Sequence, residues 1–203
     1  GQFDGLPEKK QEIFDLVERE NQHLLSLVNK VLTIAKMESG KLVLNRKQIA
    51  LKPMVDELME KYPLRSKKAV TFSVDVPDDA VVYADPSHLT ECLSNLVENA
   101  EKYSGRTVHI AIAYAHDEAQ TSIQVSDNGV GIPQSEQARI FEKFERASRA
   151  NKRSTTGTGA TGFGLGLNYV QLMMKEHGGS VTVSSEPGHG STFTLTFPVP
   201  SET

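Results

Sequence analysis

The chain has one cysteine, Cys92. No internal disulfide can staple it, and the composition fits a reducing compartment. Long apolar runs are missing too. Nowhere do about eighteen apolar residues follow one another, so no membrane-spanning helix is expected within these residues, and the expectation is that they hold no secretory signal peptide. A basic balance is also lacking: the net charge of −4 and pI near 5.9 speak against a nucleic-acid-binding surface. There is no methionine at the start. The sequence begins at Gly1, so the expectation is a cytoplasmic fragment of a longer protein, with a membrane-anchored parent left open. What is present suffices for a core, since 38% of the 203 residues are hydrophobic. That length suits one domain, or one domain with a small appendage.

Residues 7–38 read as one long helix. Phe14, Val17, Asn21, Leu24, Val28, Val31 and Ala35 keep a three-four spacing, the pattern of a helix seam. Ile13, Leu16, Leu25, Leu27, Leu32 and Ile34 widen the stripe, which suits a bundle better than a two-stranded zipper. Ser39-Gly40 closes it, with Gly40 as a left-handed cap. So apolar a helix needs partners, and the expected ones are a missing preceding helix and a second copy of the protein. The texture then changes to interleaved strands and helices. Strands are expected over 42–49, 70–76, 81–83, 108–114, 123–125, 181–184 and 192–197. Helices are expected over 52–62, 86–103, 135–145 and 165–177, with Asp85 as N-cap and Pro86 at the first helical position of the second. The expected fold class is α+β: a two-layer α/β sandwich with helices on one face of a mixed, largely antiparallel sheet, preceded by a long helix. The expected domains are 1–41 and 42–203.

Three stretches carry candidate chemistry. Gly157 to Leu167 holds five glycines in eleven residues and runs into an apolar helical pattern. A glycine-rich loop at a helix N-terminus offers unpaired N–H groups to phosphate, although a flexible surface loop reads the same way. On the helix from Pro86, Leu89, Leu93, Leu96 and Ala100 make a core stripe, while Asn95 and Asn99 stack four apart with Lys102 and Tyr103 one turn on. Asparagine is a weak helix former. A side-chain carbonyl there can ligate a hard cation such as Mg²⁺, although a solvated polar face accounts for the pair alone more readily. Asp127-Asn128-Gly129-Val130-Gly131-Ile132 follows directly on a strand. Its carboxylate can accept from an amine, and its glycines permit a sharp turn.

Together these segments resemble the sensor histidine kinases. Asn95-Leu96-Val97-Glu98-Asn99-Ala100-Glu101-Lys102-Tyr103-Ser104 is similar to their asparagine box, and Asp127 to Ile132 to their first glycine box. Ile140-Phe141-Glu142-Lys143-Phe144-Glu145-Arg146 resembles the phenylalanine box, and Gly162-Phe163-Gly164-Leu165-Gly166-Leu167 the second glycine box. Glu186-Pro187-Gly188-His189-Gly190-Ser191-Thr192-Phe193 is similar to the closing hairpin. The likeness runs over about Leu42 to Pro198, and Ala35 to Leu42 resembles the end of the second helix of the dimerisation hairpin. Phe163 and Asn168 are departures, larger or more polar than the family pattern.

The resemblance implies an ATP-binding fold shared with type II topoisomerases, mismatch-repair ATPases and heat-shock chaperones. It implies ATP and Mg²⁺ as cofactors, with Asn99 holding the metal and Asn95 supporting phosphate or metal. Lys102 would contact phosphate, Tyr103 pack near the nucleoside, and Asp127 accept from the adenine amino group. Gly129, Gly131 and Ile132 belong to the box that shapes that pocket. Gly162, Gly164, Leu165, Gly166 and Leu167 would present N–H groups to the phosphates. Arg146, Arg149, Lys152 and Arg153 stand in a stretch without acidic residues from Arg146 to Thr161, read as a mobile lid in which Arg146 or Arg149 reaches the triphosphate. It further implies a homodimer through the helical hairpin and a cognate response regulator.

Hydrolytic relatives carry a glutamate four residues before the metal-binding asparagine. Here that position is Asn95, and an amide cannot serve as a general base, so transfer to a separate acceptor is favoured over hydrolysis. The family's acceptor is a histidine on the first hairpin helix. His23 lies on the second helix and is followed by Leu24-Leu25, and His88, His109, His116, His177 and His189 lack the context as well. The expected function is the kinase's ATP–Mg²⁺-binding catalytic domain, a protein histidine kinase lacking its acceptor and not phosphorylating itself. The alternatives are a catalytically silent nucleotide-binding module, against which Asn99, Lys102 and Asp127 argue, and a serine kinase or ATPase of the same fold.

Overall fold

The structure is a computed structural model that describes residues 7–62, 66, 68–143 and 164–199. It divides into two compact units, Gly1–Leu42 and Val43–Thr203. In the first, helix α1 spans Pro7–Glu38. It ends as the sequence predicts: Gly40 has φ +65°, its N–H donates to the Met37 carbonyl at 3.0 Å, and Lys41 N–H to Lys36 at 2.9 Å. This is a Schellman closure. Phe14, Val17, Leu24, Val28 and Val31 stand exposed along α1, Phe14 at 69%. Asn21, on the same seam, is exposed too.

The second unit follows the order β1 (Lys47–Ala50), α2 (Leu51–Lys61), β2 (Ala69–Asp75), β3 (Val81–Ala84), α3 (Pro86–Tyr103), β4 (Thr107–His116) and β5 (Gln120–Asp127). After these come α4 (Gln134–Gln137), a 3-10 turn at Arg139–Phe141, α5 (Gly166–Glu176), β6 (Ser180–Ser185) and β7 (Ser191–Pro198). Five strands form one sheet in the order β2-β4-β5-β7-β6, and β1 pairs with β3 apart from it. Only β2 runs parallel to its neighbour, with Phe72 opposite Ile110. The pairs β4–β5, β5–β7 and β6–β7 are antiparallel.

Alternation assigns the faces. Val108, Ile110, Ile112, Ile123, Val125, Phe193, Leu195 and Phe197 are buried. Helix α3 packs against β4 and β5 and α5 against β6 and β7, with Leu89, Leu93, Leu96 and Val97 of α3 and Val170, Met173 and Met174 of α5 buried. The intervening row Ala113, Gln124, Thr194, Thr182 lies on the other face. This is the two-layer α+β arrangement expected from the interleaved pattern. Among the described residues no helix is long and apolar enough to cross a membrane.

Two elements are shorter than the sequence predicts. The strand expected over 42–49 starts at Lys47, because its partner β3 offers only four residues, from Lys47 opposite Ala84 to Ala50 opposite Val81. Asn45 N–H goes instead to the Asp85 carboxylate at 2.8 Å. The helix expected over 135–145 is one turn of α4 and one 3-10 turn, after which Glu142 is extended with ψ 152°. There the Phe141 carbonyl accepts from the Asn168 side-chain amide at 2.9 Å, a partner no helix pattern reveals.

Candidate functional site

Helix α3 ends beside the loop that leaves β5. Asp85 starts that helix, its side chain accepting from Ser87 and His88 N–H, and the buried leucine stripe fixes its rotation. At the far end the Tyr103 carbonyl accepts from Val130 N–H at 3.1 Å. Asp127 closes β5, where its backbone is held between Ile110 and Ser191, and its Oδ1 accepts from Gly129 N–H at 2.7 Å. A Cβ on Gly129 would lie 2.6 Å from Asp127 Oδ1 and 3.0 Å from the Tyr103 carbonyl. Only glycine lets these three groups meet.

The loop is fastened to the β6–β7 hairpin. Gly131 takes φ +68° and Gly190 φ +83°. A Cβ on Gly131 would run into the Glu186 carbonyl, and one on Gly190 into the Asp127 carbonyl. Val130 carbonyl accepts from Gly188 N–H at 2.8 Å, and Ile132 N–H donates to Ser185 Oγ at 2.8 Å. Gln137 Nε2 donates to the carbonyls of Ile132 (3.0 Å) and Ser185 (2.8 Å). Ser185 and Gln137 therefore shape the site, and sequence reading missed both. A serine ending a strand and a glutamine in a short helix carry no motif, whereas Gly190 stands inside the closing-hairpin motif.

Burial is the main cause that raises the Asp127 pKa, opposed by backbone N–H groups of Gly129 and Ser191. A carboxylate has about four lone-pair sites, so it retains capacity for a ligand's amine. Asn99 and Lys102 are half-buried, and the Lys102 ammonium lies 5.0 Å from the Tyr103 ring centroid. Asn95 is buried. Its Nδ2 donates to the Glu91 carbonyl at 2.7 Å, and a Cβ on Gly166 would stand 3.0 Å from its Oδ1. That contact brings α3 against the start of α5, where Gly164 has φ +69° and the N-terminus has no side-chain cap. Uncapped amides at a helix start are donors for an anion. Leu165 is buried and Leu167 half-buried.

Among the described candidates the structure thus joins Tyr103, Asp127, Gly129, Gly131 and Ile132 in one wall, and Asn95 with Gly166 in another. Asn99 and Lys102 belong to the last turns of α3 between them. Arg146, Arg149, Lys152, Arg153, Gly157 to Thr161, Gly162 and Phe163 lie outside the described residues, as does the side chain of His23. Among the described residues no group of three or more His, Cys, Asp or Glu could hold a metal. The donors present do fit a magnesium nucleotide. They are a carboxylate for an amine, a carboxamide oxygen for a hard cation, an ammonium and helix-start amides for phosphate.

Residues 84–201 match the family described as histidine kinase-, DNA gyrase B-, and HSP90-like ATPase. The chain is 30% identical over 200 residues to the circadian input-output histidine kinase CikA of Synechococcus elongatus, covering 97% of this chain and 26% of that protein. It is 30% identical over 190 residues to the sensor histidine kinase WalK of Bacillus subtilis, covering 92% and 30%. It is 33% identical over 186 residues to the signal transduction histidine-protein kinase BarA of Escherichia coli, covering 87% and 20%. The chain thus spans less than a third of the length of these relatives. Among solved structures, the Acinetobacter baumannii histidine kinase AdeS has the same fold at a TM-score of 0.75 and 21% identity, over 99% of this chain and 91% of that one. Full-length ShkA in complex with AMPPNP gives 0.72 at 23% identity, over 98% and 41%.

Proposed function

The chain belongs to the histidine kinase-, DNA gyrase B- and HSP90-like ATPase family, and on that premise we propose that it is the part of a sensor histidine kinase that binds ATP with Mg²⁺ and presents the γ-phosphate to a histidine outside this chain. The observation that carries the reading is the position of Asp127. Its carboxylate sits at a strand end, partly buried and pinned by Gly129 N–H, with capacity left for the amino group of adenine. The Tyr103 ring packs near the nucleoside.

Bound ATP and Mg²⁺ supply the phosphoryl group and its charge neutralisation; the protein supplies position. Asn99 offers its carboxamide oxygen to the cation. Lys102 and the amides of Gly164 to Leu167 face phosphate charge, and Asn95 supports the phosphate side from beneath Gly166. A carboxamide at Asn95 cannot take a proton from water, which supports transfer over hydrolysis. Arg146 and Gly162 complete the proposed set. Residues 1–41 serve as the partial dimerisation region and 42–203 as the catalytic domain. The exposed apolar face of α1 supports pairing with a second copy, and a response regulator is the proposed final recipient of the phosphate.

Nucleotide titration tests this. Asp127→Ala is expected to weaken ATP binding by at least about tenfold, the scale of a lost hydrogen bond to a charged group. Unchanged affinity would sink the adenine assignment. The isolated chain is expected to show no acid-labile phosphate after incubation with ATP.

A further inference from the structure

The last turn of α3 is held from behind by Tyr62, Ser66 and Lys68, which lie between α2 and β2. Helix C-terminal carbonyls lack partners within the helix. Here Lys68 Nζ donates to the Glu101 carbonyl and, at 3.0 Å, to the Ser104 carbonyl, a cation set against the negative end of the helix dipole. The Glu101 carboxylate accepts from Tyr62 Oη at 2.6 Å and from Ser66 Oγ at 2.5 Å. Ser66 Oγ in turn accepts from Lys68 N–H at 3.0 Å. Tyr62 caps α2 and stands edge-on to Phe72 of β2, centroids 6.3 Å apart. Burial and the Glu101 carboxylate push the Tyr62 hydroxyl pKa upward, so it stays a donor.

Geometry gives this cluster its meaning. Two residues along a helix turn the side chain by roughly 200°, so Glu101 points away from both Asn99 and Tyr103. The brace grips the side of the turn that faces away from the proposed nucleotide site, and the gripped carbonyls flank Lys102 and Tyr103. The Tyr103 carbonyl then joins the turn to Val130 in the Asp127 loop.

We infer that Lys68 and Glu101 are positioning residues for nucleotide binding, fixing the turn that carries Asn99, Lys102 and Tyr103 against the Asp127 loop. The inference rests on the nucleotide site proposed above. It assigns a role to two residues that the proposed ligand contacts leave out: Lys68, outside every motif, and Glu101, inside the asparagine box.

The test is calorimetric titration of the 203-residue chain with Mg²⁺ and a non-hydrolysable ATP analogue, at a temperature where circular dichroism shows each variant folded. Lys68→Met keeps the stem and removes the charge. It is expected to weaken binding about tenfold, with Lys68→Arg restoring most of the loss. Glu101→Gln keeps the shape and is expected to weaken binding about threefold. Wild-type affinity in Lys68→Met, even with a lower melting temperature, would overturn the inference and leave a brace for stability alone. If Lys68→Met does not fold, Glu101→Gln decides, and wild-type affinity there overturns the inference. Asp127→Ala separates the two readings. Tight binding by that variant means the nucleotide site is misplaced, whereas loss there with normal Lys68 and Glu101 variants means only the brace fails.

Discussion

Gly131 and Gly188 differ in what surrounds them, although both take positive φ, +68° and +89°. A side chain on Gly131 meets the Glu186 carbonyl, while one on Gly188 has nothing within 4 Å. Gly188→Ala therefore carries only backbone strain, about 1–2 kcal/mol. Gly131→Ala adds displacement of the hairpin, and about 2–4 kcal/mol is expected. Urea unfolding of the two variants checks the difference; equal losses would mean that the close approach to Glu186 is not energetically significant. At this scale the sequence was informative where chemistry is confined to few residue types. An Asp-x-Gly-x-Gly run after a strand announces a tight turn. Ser185 and Gln137 have no such restriction, because a hydroxyl or carboxamide becomes structural only through what folding places beside it.

Several separate segments are joined where α3 begins. The Asp85 carboxylate accepts from Ser87, His88 and Asn45 N–H, while Asp85 N–H donates to His177 Nε2 at 3.0 Å. His177 Nδ1 faces the Met173 carbonyl at 2.8 Å. One ring nitrogen must accept and the other donate, so the imidazole is neutral here. Burial is the leading cause that lowers its pKa, with Arg46 and His88 adding to the effect and the Met173 carbonyl and Asp85 opposing it. The unfolded chain then takes up this proton before the folded one. Stability is complete above the ordinary histidine value of about 6.5 and falls as pH drops below it, towards the folded pKa. For Asp85, burial raises the pKa but the N–H groups of Asn45, His88 and Ser87 outweigh it, and the net shift is downward. Its contribution is present above the ordinary aspartate value and is lost in stronger acid. The urea midpoint of the wild type is therefore expected to fall between pH 7 and 5. His177→Gln should flatten that slope and cost about 1–2 kcal/mol at pH 7; an unchanged slope would remove His177 from the account. Asp85-Pro86 was legible as a helix start because capping is local. The shortened β1 and α4 were not, since a partner strand's length and the Asn168 side chain decide them.

For the whole molecule, the α+β class and the order of motifs could be read from the chain, because alternation and glycine punctuation survive in any single sequence. The sheet order could not. That β2 lies parallel to β4 at one edge follows from which edges remain open after the hairpins close. The unpartnered face of α1 raises a question of assembly. Ile13, Phe14, Val17, Leu24, Val28 and Val31 are each more than half exposed, more contiguous apolar surface than an isolated helix normally leaves in water. Sedimentation is expected to show mass rising with concentration from 22.3 kDa towards twice that value. Val28→Glu should hold the chain monomeric without lowering the melting temperature of the unit that starts at Val43. A strict monomer at every concentration would remove the dimer from the reading.

The fastening of the Asp127 loop to the β6–β7 hairpin has a thermodynamic consequence. Val130, Ile132 and Gly188 spend their backbone donors inside the protein, and the glycine contacts leave that loop few alternative conformations. A nucleotide bound as proposed would meet this wall already in its final shape, so little conformational entropy would be lost there on association. Under the proposed assignment, adenine recognition on such a wall would be a preorganised event.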